Sequence, residues 1–235
     1  CLSYRSENLE SLSNIKAIDR KAERGEVFEL PIRLDRHYDR QMLLGLDWEL
    51  NPDYLELVSV QSSQLPGFSD SCYNYLEKKQ AMRVVWFLLE EQGAAIRADE
   101  PLLTVTLRAR RDIPTLQGLI RTAPTTNNGL YHISGEKTPL GLDIEGTPDA
   151  MLAITGASPN PFQSTTQLDF FQPASGETQL ELWTLDGRLL QRRNRQSDAG
   201  YNTWVLNELP EAATGVLLLR LHSAGQSAVH KLIRH

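Results

Sequence analysis

Met42-Leu43-Leu44-Gly45-Leu46-Asp47-Trp48-Glu49-Leu50 carries large apolar side chains at every second position, with Leu43, Gly45, Asp47 and Glu49 between them. Successive side chains of an extended chain point to opposite faces, so a period of two describes a strand with one buried face. The pattern recurs on both sides. Phe28, Leu30, Ile32 and Leu34 alternate with Glu29, Pro31 and Arg33, while Leu103, Val105, Leu107 and Ala109 form a later run, followed by Leu140, Leu142 and Ile144. Between them, Met82, Val84, Trp86 and Leu88 share one parity and Val85, Phe87 and Leu89 the other. Apolar residues on both parities predict a central strand buried on both faces.

Turn chemistry separates the runs. Arg24-Gly25, Asn51-Pro52-Asp53, Pro66-Gly67, Gln92-Gly93, Asn128-Gly129 and Gly135 are spaced as an antiparallel sandwich needs. Residues 61–80 read as loop, and residues 6–22 leave room for one short helix. The polar stretch Glu145-Gly146-Thr147-Pro148-Asp149 predicts a boundary, with one domain over 1–147 and a second over 152–235. Short strands at 166–171, 178–185, 203–206, 215–221 and 228–233 fit a sandwich of about seven strands in so short a span. In the last strand Ile233 is expected to face the core. The fold class is therefore all-β: two antiparallel β-sandwich domains, the second smaller and Ig-like.

The net charge of −6 lies in the first part of the chain, because residues 152–235 hold seven acidic and seven basic side chains. An acidic or neutral surface lacks the clustered positive face that nucleic acid requires. Arg108, Arg110 and Arg111 form the one basic patch, of which Arg108 and Arg110, at alternate positions, read as solvated exits from a strand. The longest apolar run, Val84–Leu89, is far short of the ~20 residues that span a bilayer. The chain opens at Cys1 with no signal peptide in view, as expected of a fragment or processed product. Cys1 and Cys72 match no zinc or Cys-x-x-Cys spacing, and whether they form a disulfide is left open.

Nothing in the chain spells a catalytic motif. His37, in a charged turn, and His132 stand outside any nucleophile context. Glu90-Glu91 and Asp99-Glu100 are adjacent pairs that point to opposite faces and read as surface charge. Asp47 and Glu49 share a face but supply too few oxygens for calcium. Trp48 and Trp86, in register with apolar neighbours, read as core; Trp183, on the other parity from Leu180 and Leu182, is expected to be partly exposed. No enzymatic site, metal or organic cofactor is expected.

The second domain carries an ordered set of motifs. Pro159-Asn160-Pro161-Phe162 opens it; Thr165-Thr166-Gln167-Leu168-Asp169-Phe170 follows. Leu180–Leu185, Asp186-Gly187 and Arg188-Leu189-Leu190 give strand, turn and strand; Ala199-Gly200-Tyr201, Thr214-Gly215-Val216 and Val229-His230-Lys231-Leu232-Ile233-Arg234 complete the order. The prolines fix φ and remove donors, Phe162 can plug one end of a small core, and glycine accepts positive φ in the turns. Over 152–235 this order resembles the C-terminal sorting domain of the bacterial type IX secretion system. Leu217 stands where that family commonly has an aromatic residue.

The resemblance implies a Bacteroidota-type source and export across the outer membrane directed by this domain. It also implies recognition by the type IX machinery, cleavage by a sortase-like peptidase and attachment of the cargo to surface lipopolysaccharide. The site residues it implies are Pro159, Asn160, Pro161, Phe162, Asp186, Gly187, Gly200, Gly215 and Lys231, none catalytic.

Residues 12–147 resemble, more faintly, the cohesin-like, carbohydrate-binding-type sandwich. The matching pieces are residues 24–32, 46–57, Arg83-Val84-Val85-Trp86 and 101–109. That likeness implies a binding or scaffold module with a protein or glycan ligand. The alternative is the accessory end of a secreted hydrolase, protease or glycosidase, whose catalytic domain lies upstream.

Overall fold

An alternating strand is stable when neighbours satisfy its backbone and a second layer covers its apolar face. The computed structural model describes residues 15–124, 127–146, 151–210 and 213–235. The chain forms two units. The first comprises the strand at Ile15–Ile18 with Gly25–Arg110 and Leu119–Gly146; the second takes Arg20–Arg24, Arg111–Gly118 and the chain from residue 151 onward.

The first unit holds β1 (Ile15–Ile18), β2 (Val27–Leu34), β3 (Tyr38–Leu50), β4 (Leu55–Gln61), β5 (Tyr73–Leu76) and β6 (Ala81–Phe87). It continues with β7 (Ala94–Ile96), β8 (Leu103–Ala109), β9 (Ile120–Thr122), β10 (Gly129–His132), β11 (Lys137–Pro139) and β12 (Leu142–Glu145). One sheet runs β12-β1-β2-β8-β4; the other runs β11-β10-β3-β6-β5, with β7 and β9 also on β3. The pairs are antiparallel except β1 with β12, which is parallel. The alternating residues fill the interior: Phe28, Leu30, Ile32, Leu44, Leu46, Trp48, Val84 and Trp86 are at most 4% exposed. The Trp86 indole N–H donates to the Pro66 carbonyl at 2.8 Å, so its one polar atom is satisfied.

Four sequence expectations change here. Strand β6 lies between β3 and β5, yet its second face is open: Val85, Phe87 and Leu89 are 46%, 62% and 85% exposed. Hydrogen-bonded neighbours made it internal to the sheet without placing a layer over its other side. Residues 61–80 contain β5, which pairs with β6, flanked by 3₁₀ turns at Asp70–Cys72 and Glu77–Lys79. A four-residue strand shows too few alternations to be read from sequence. Ile15–Ile18 is strand, not helix, while the rest of that segment up to residue 14, with Cys1 and the Cys1–Cys72 question, lies outside the described residues. Gly129 opens β10 instead of forming a turn, and Asn128 before it is buried, accepting from the Asp47 N–H at 2.7 Å.

The second unit holds β13 (Ala153–Ser158), β14 (Thr166–Gln172), β15 (Gly176–Thr184), β16 (Leu189–Ser197), β17 (Gly200–Leu206), β18 (Gly215–Ser223) and β19 (Gln226–Arg234). Its sheets run β13-β14-β17 and β16-β15-β18-β19, all neighbours antiparallel. The core gathers Phe162, Leu168, Phe170, Leu180, Leu182, Leu217, Leu219, Leu221 and Leu232. Leu232, not Ile233, faces inward, because its cross-strand partner is the buried Leu217. A one-residue change of parity exchanges the two faces. At one side the Arg195 guanidinium lies 4.5 Å from the Trp204 ring centroid, covering it with a cation.

The Arg111–Gly118 segment also packs in this unit. Ala22 and Ile113 exchange backbone hydrogen bonds at 3.0 and 2.8 Å, and the Tyr201 hydroxyl donates to the Thr115 carbonyl at 2.7 Å. Arg111 forms an ion pair with the buried Asp169. The basic patch is thus split, since Arg108 and Arg110 meet Glu56 at 3.5 and 3.7 Å. Among the described residues no helix is long and apolar enough to cross a membrane.

Gly45 in β3 faces Gly129 in β10, and a Cβ at position 45 would lie 2.4 Å from the Asn127 carbonyl oxygen. Gly45→Ala is therefore expected to cost about 1–3 kcal/mol through overpacking against backbone. Urea denaturation measures this; an unchanged midpoint would mean that the Asn127 segment yields without cost.

Candidate functional site

Strand β13 ends at Ser158, where the next two peptide bonds to proline, Ser158–Pro159 and Asn160–Pro161, are both cis. Proline has no N–H to offer a ladder, so the chain leaves its sheet here. What it does instead is close the edge of β19. The Asn160 side-chain amide donates to the Lys231 carbonyl at 3.0 Å, and its Oδ1 accepts from the Ile233 N–H at 2.9 Å. A carboxamide has the same donor and acceptor as a peptide group, so Asn160 stands in for a neighbouring strand. One step on, real backbone takes over: Phe162 N–H donates to the Ile233 carbonyl at 3.0 Å and His235 N–H to the Phe162 carbonyl at 2.9 Å.

Phe162 is 2% exposed and belongs to the core. The Thr166 hydroxyl holds the Pro159 carbonyl at 2.7 Å. Arg234 donates to three carbonyls, of Gln163, Pro210 and Ala213, at 2.8, 2.9 and 3.1 Å. An open groove beside the lock is lined by Pro159, Pro161, Thr165, Gln167 and Val205.

The structure gathers most of the sequence-derived motif residues at one end of the unit. Gly215 pairs with Arg234, Arg234 bridges to Phe162, and Thr184 before the Asp186-Gly187 turn pairs with Leu217. Gly187 has φ +83° and its N–H donates to the Thr184 carbonyl at 3.1 Å, as a tight hairpin requires. Gly200 is the exception. It pairs with Gln172 at the far end of β14. Lys231 contributes its carbonyl to the lock while its side chain lies exposed. Thr166 and Arg234 were not picked out as site residues from sequence, because their partners are 7 and between 21 and 71 positions away.

The first unit offers a different surface. On the outer face of its larger sheet, Tyr131, Leu43 and Phe87 form one cross-strand row, and Gly129, Gly45 and Val85 the next. Asp47 and Arg83 follow, joined by two hydrogen bonds at 2.7 and 2.9 Å, with Asn127 adding a third to Asp47 at 3.1 Å. Asp47 is 3% exposed, so this pair spends the carboxylate that might have served a cation. Beside it Val85 and Phe87 stay open to solvent, while Leu43 and Tyr131 are half-buried and Gly45 and Gly129 buried.

The remaining candidates sit in ordinary surroundings. Glu90, Glu91, Asp99 and Glu100 are exposed. The Arg97 guanidinium, hydrogen-bonded to Asp99, lowers its carboxyl to about 2. The His37 ring accepts the Ala98 N–H at 2.9 Å, and both the amide and the hydroxyl of Ser134 meet Nδ1 of His132 within one turn. Trp48 and Trp86 are core; Trp183 is partly exposed, its indole N–H donating to Glu181 at 3.1 Å.

No protein-family model matches the chain, and no curated protein matches it. Among solved structures it is similar to the sixth cohesin of scaffoldin B from Acetivibrio cellulolyticus, solved in complex with a Cel5 dockerin. That match has 10% identity over 56% of this chain and 98% of that one, with a TM-score of 0.42. The cohesin of the Coh-OlpC-Doc435 complex from Clostridium thermocellum gives 13% identity over 58% and 94%, also at 0.42. Dimeric latent PorU from Porphyromonas gingivalis gives 11% identity over 92% of this chain and 20% of that one, at 0.32.

Asn160→Ala removes the stand-in peptide group. The expected cost is about 1–2 kcal/mol in chemical denaturation, with Ile233 amide exchange faster on the order of tenfold. The Leu219 amide, inside the sheet, should keep its protection; equal loss at both would mean global unfolding and not an opened edge. For Asp99, a depressed folded pKa means the Arg97 contact contributes above pH 3.8 and is lost as pH falls toward about 2. Carboxyl NMR should place the Asp99 midpoint near 2, and Arg97→Ala should return it to the ordinary range.

Proposed function

We propose that the second unit is a folded export address of the type IX sorting class, and that the first is a non-catalytic binding module it carries to the cell surface. The observation that carries this reading is the lock between Pro159–Phe162 and the terminal strand. Residues at both ends of the motif order meet in space through four hydrogen bonds involving Asn160 and Phe162, while the Thr166 hydroxyl steadies the Pro159 carbonyl. A receptor that reads a folded surface needs such a rigid landmark, and the groove beside Pro159 and Pro161 provides one. The partners are the type IX machinery and a sortase-like peptidase, and the destination is the cell surface with outer-membrane attachment. For the first unit, exposed Val85 and Phe87 beside half-buried Leu43 and Tyr131 favour a protein ligand, because apolar side chains grouped on one rigid sheet gain by being covered.

Export tests the proposal. Residues 152–235, placed behind a signal peptide and an inert reporter in a bacterium with a type IX system, should bring the reporter to the surface or medium. Removing Val229–His235 deletes the lock and a sheet edge and should abolish this. Gly187→Val, a β-branched residue forced to φ near +83°, should reduce it at least severalfold. Equal export of the truncated fusion would refute the sorting role.

A further inference from the structure

An open sheet has two edge strands, and each must be kept from pairing with a foreign chain. In the second unit the edges are β13 and β17 in one sheet and β16 and β19 in the other. Three of them are guarded. Asn160 and Phe162 occupy the edge of β19. The register of β13 shifts between Ile154 and Gly156, a bulge that bends it away from a flat edge. Strand β16 bears Arg192, Arg193 and Arg195.

Strand β17 has none of these devices. Its seven residues, Gly200–Leu206, include no proline and no charge, and they pair with β14 without a shift of register. Among the described residues no strand pairs with its other edge. Thr203 and Val205 are exposed, Val205 by 50%. The strand is also held firmly. The Tyr201 ring meets Phe171 edge-on at 5.3 Å and its hydroxyl donates to the Thr115 carbonyl, while the Arg195 guanidinium covers the Trp204 ring. A flat, uncharged edge of aromatic and β-branched residues is a template for one more strand.

The charges at its two ends select the occupant. Exposed Asp198 precedes the strand. At the other end stands Arg193, its guanidinium donating to the Asn207 carbonyl at 2.6 Å, and among the described residues no carboxylate pairs with it. An antiparallel pair that uses the whole of β17 twice sets Gly200 opposite Leu206, Tyr201 opposite Val205 and Thr203 opposite itself. Aromatic and β-branched residues then meet across the strands and cover the exposed valine. The same register sets Asn207 opposite Ala199, so Arg193 of one copy reaches Asp198 of the other, and two-fold symmetry makes that contact twice. Glu208 opposes Asp198 there, so the Arg193 contact is needed to offset two acids. A purely acidic or purely basic partner strand satisfies one end only; a second copy satisfies both. We infer that β17 is a self-association edge, at which two copies pair antiparallel about Thr203 and join their three-stranded sheets into one. A single strand pair is a small interface, so the dimer is a transient one.

Sedimentation velocity of the whole chain, from about 5 to about 500 µM, tests it, with a monomer–dimer Kd below about 200 µM expected. Val205→Lys puts a charge on the edge and should weaken association about tenfold or more. Arg193→Asp sets like charges together at both contacts and should do the same. A fluorescently labelled Arg193→Asp chain, mixed one to one with an Asp198→Arg chain, regains opposite charges at both contacts and should associate again to within about threefold of the native Kd. Mixing does not repair a misfolded chain, so this rescue separates a lost contact from a lost fold. Phe87→Glu, in the first unit, should leave the equilibrium unmoved. The inference is overturned by a chain that stays monomeric throughout, by a dimer that tolerates Val205→Lys and Arg193→Asp, by mixing without rescue, or by a dimer that Phe87→Glu dissolves. Export plays no part in these measurements, so they stand or fall apart from the sorting role.

Discussion

The carboxamide of Asn160 lies against the free edge of the last strand, and the second unit depends on that contact. An edge strand presents unpaired N–H and C=O groups that must go to water, to another chain or to something built for them. Here Lys231 and Ile233 are met by one side chain, and the Phe162 backbone continues the pairing to His235. With β19 held, Leu232 completes the core opposite Leu217, and Phe162 closes its end. The partners are separated by 71 and 73 residues, so the lock forms only when the chain has closed a loop that spans nearly the whole of β13 to β19.

The first unit handles its exposed structure in the opposite way. Its larger sheet leaves Val85 and Phe87 exposed on the outer face, and the buried Asp47 carboxylate, paired with the partly exposed Arg83, fixes two strands there with charge instead of apolar packing. A buried carboxylate with its bidentate partner contributes little net stability but strongly disfavours any other register. Rigid register beneath exposed Val85 and Phe87 yields a defined surface at which shape can be recognised.

What the sequence determined by itself was whatever repeats locally. Alternation at 42–50, 28–34 and 103–109 specified strands and their buried faces, because a period of two is a property of adjacent residues. Asp186-Gly187 specified its hairpin for the same reason, and the order of short motifs after residue 157, as a resemblance, pointed to the lock region. Only the tertiary structure decided the rest. Val85 and Phe87 carry the same hydrophobic signal as buried residues, and their exposure depends on whether a third layer exists. Ile233 and Leu232 differ by one step of parity that only the partner Leu217 resolves. Arg234 and Thr166 act through partners 7 to 71 positions away, and such pairing carries no local periodicity from which it could have been read.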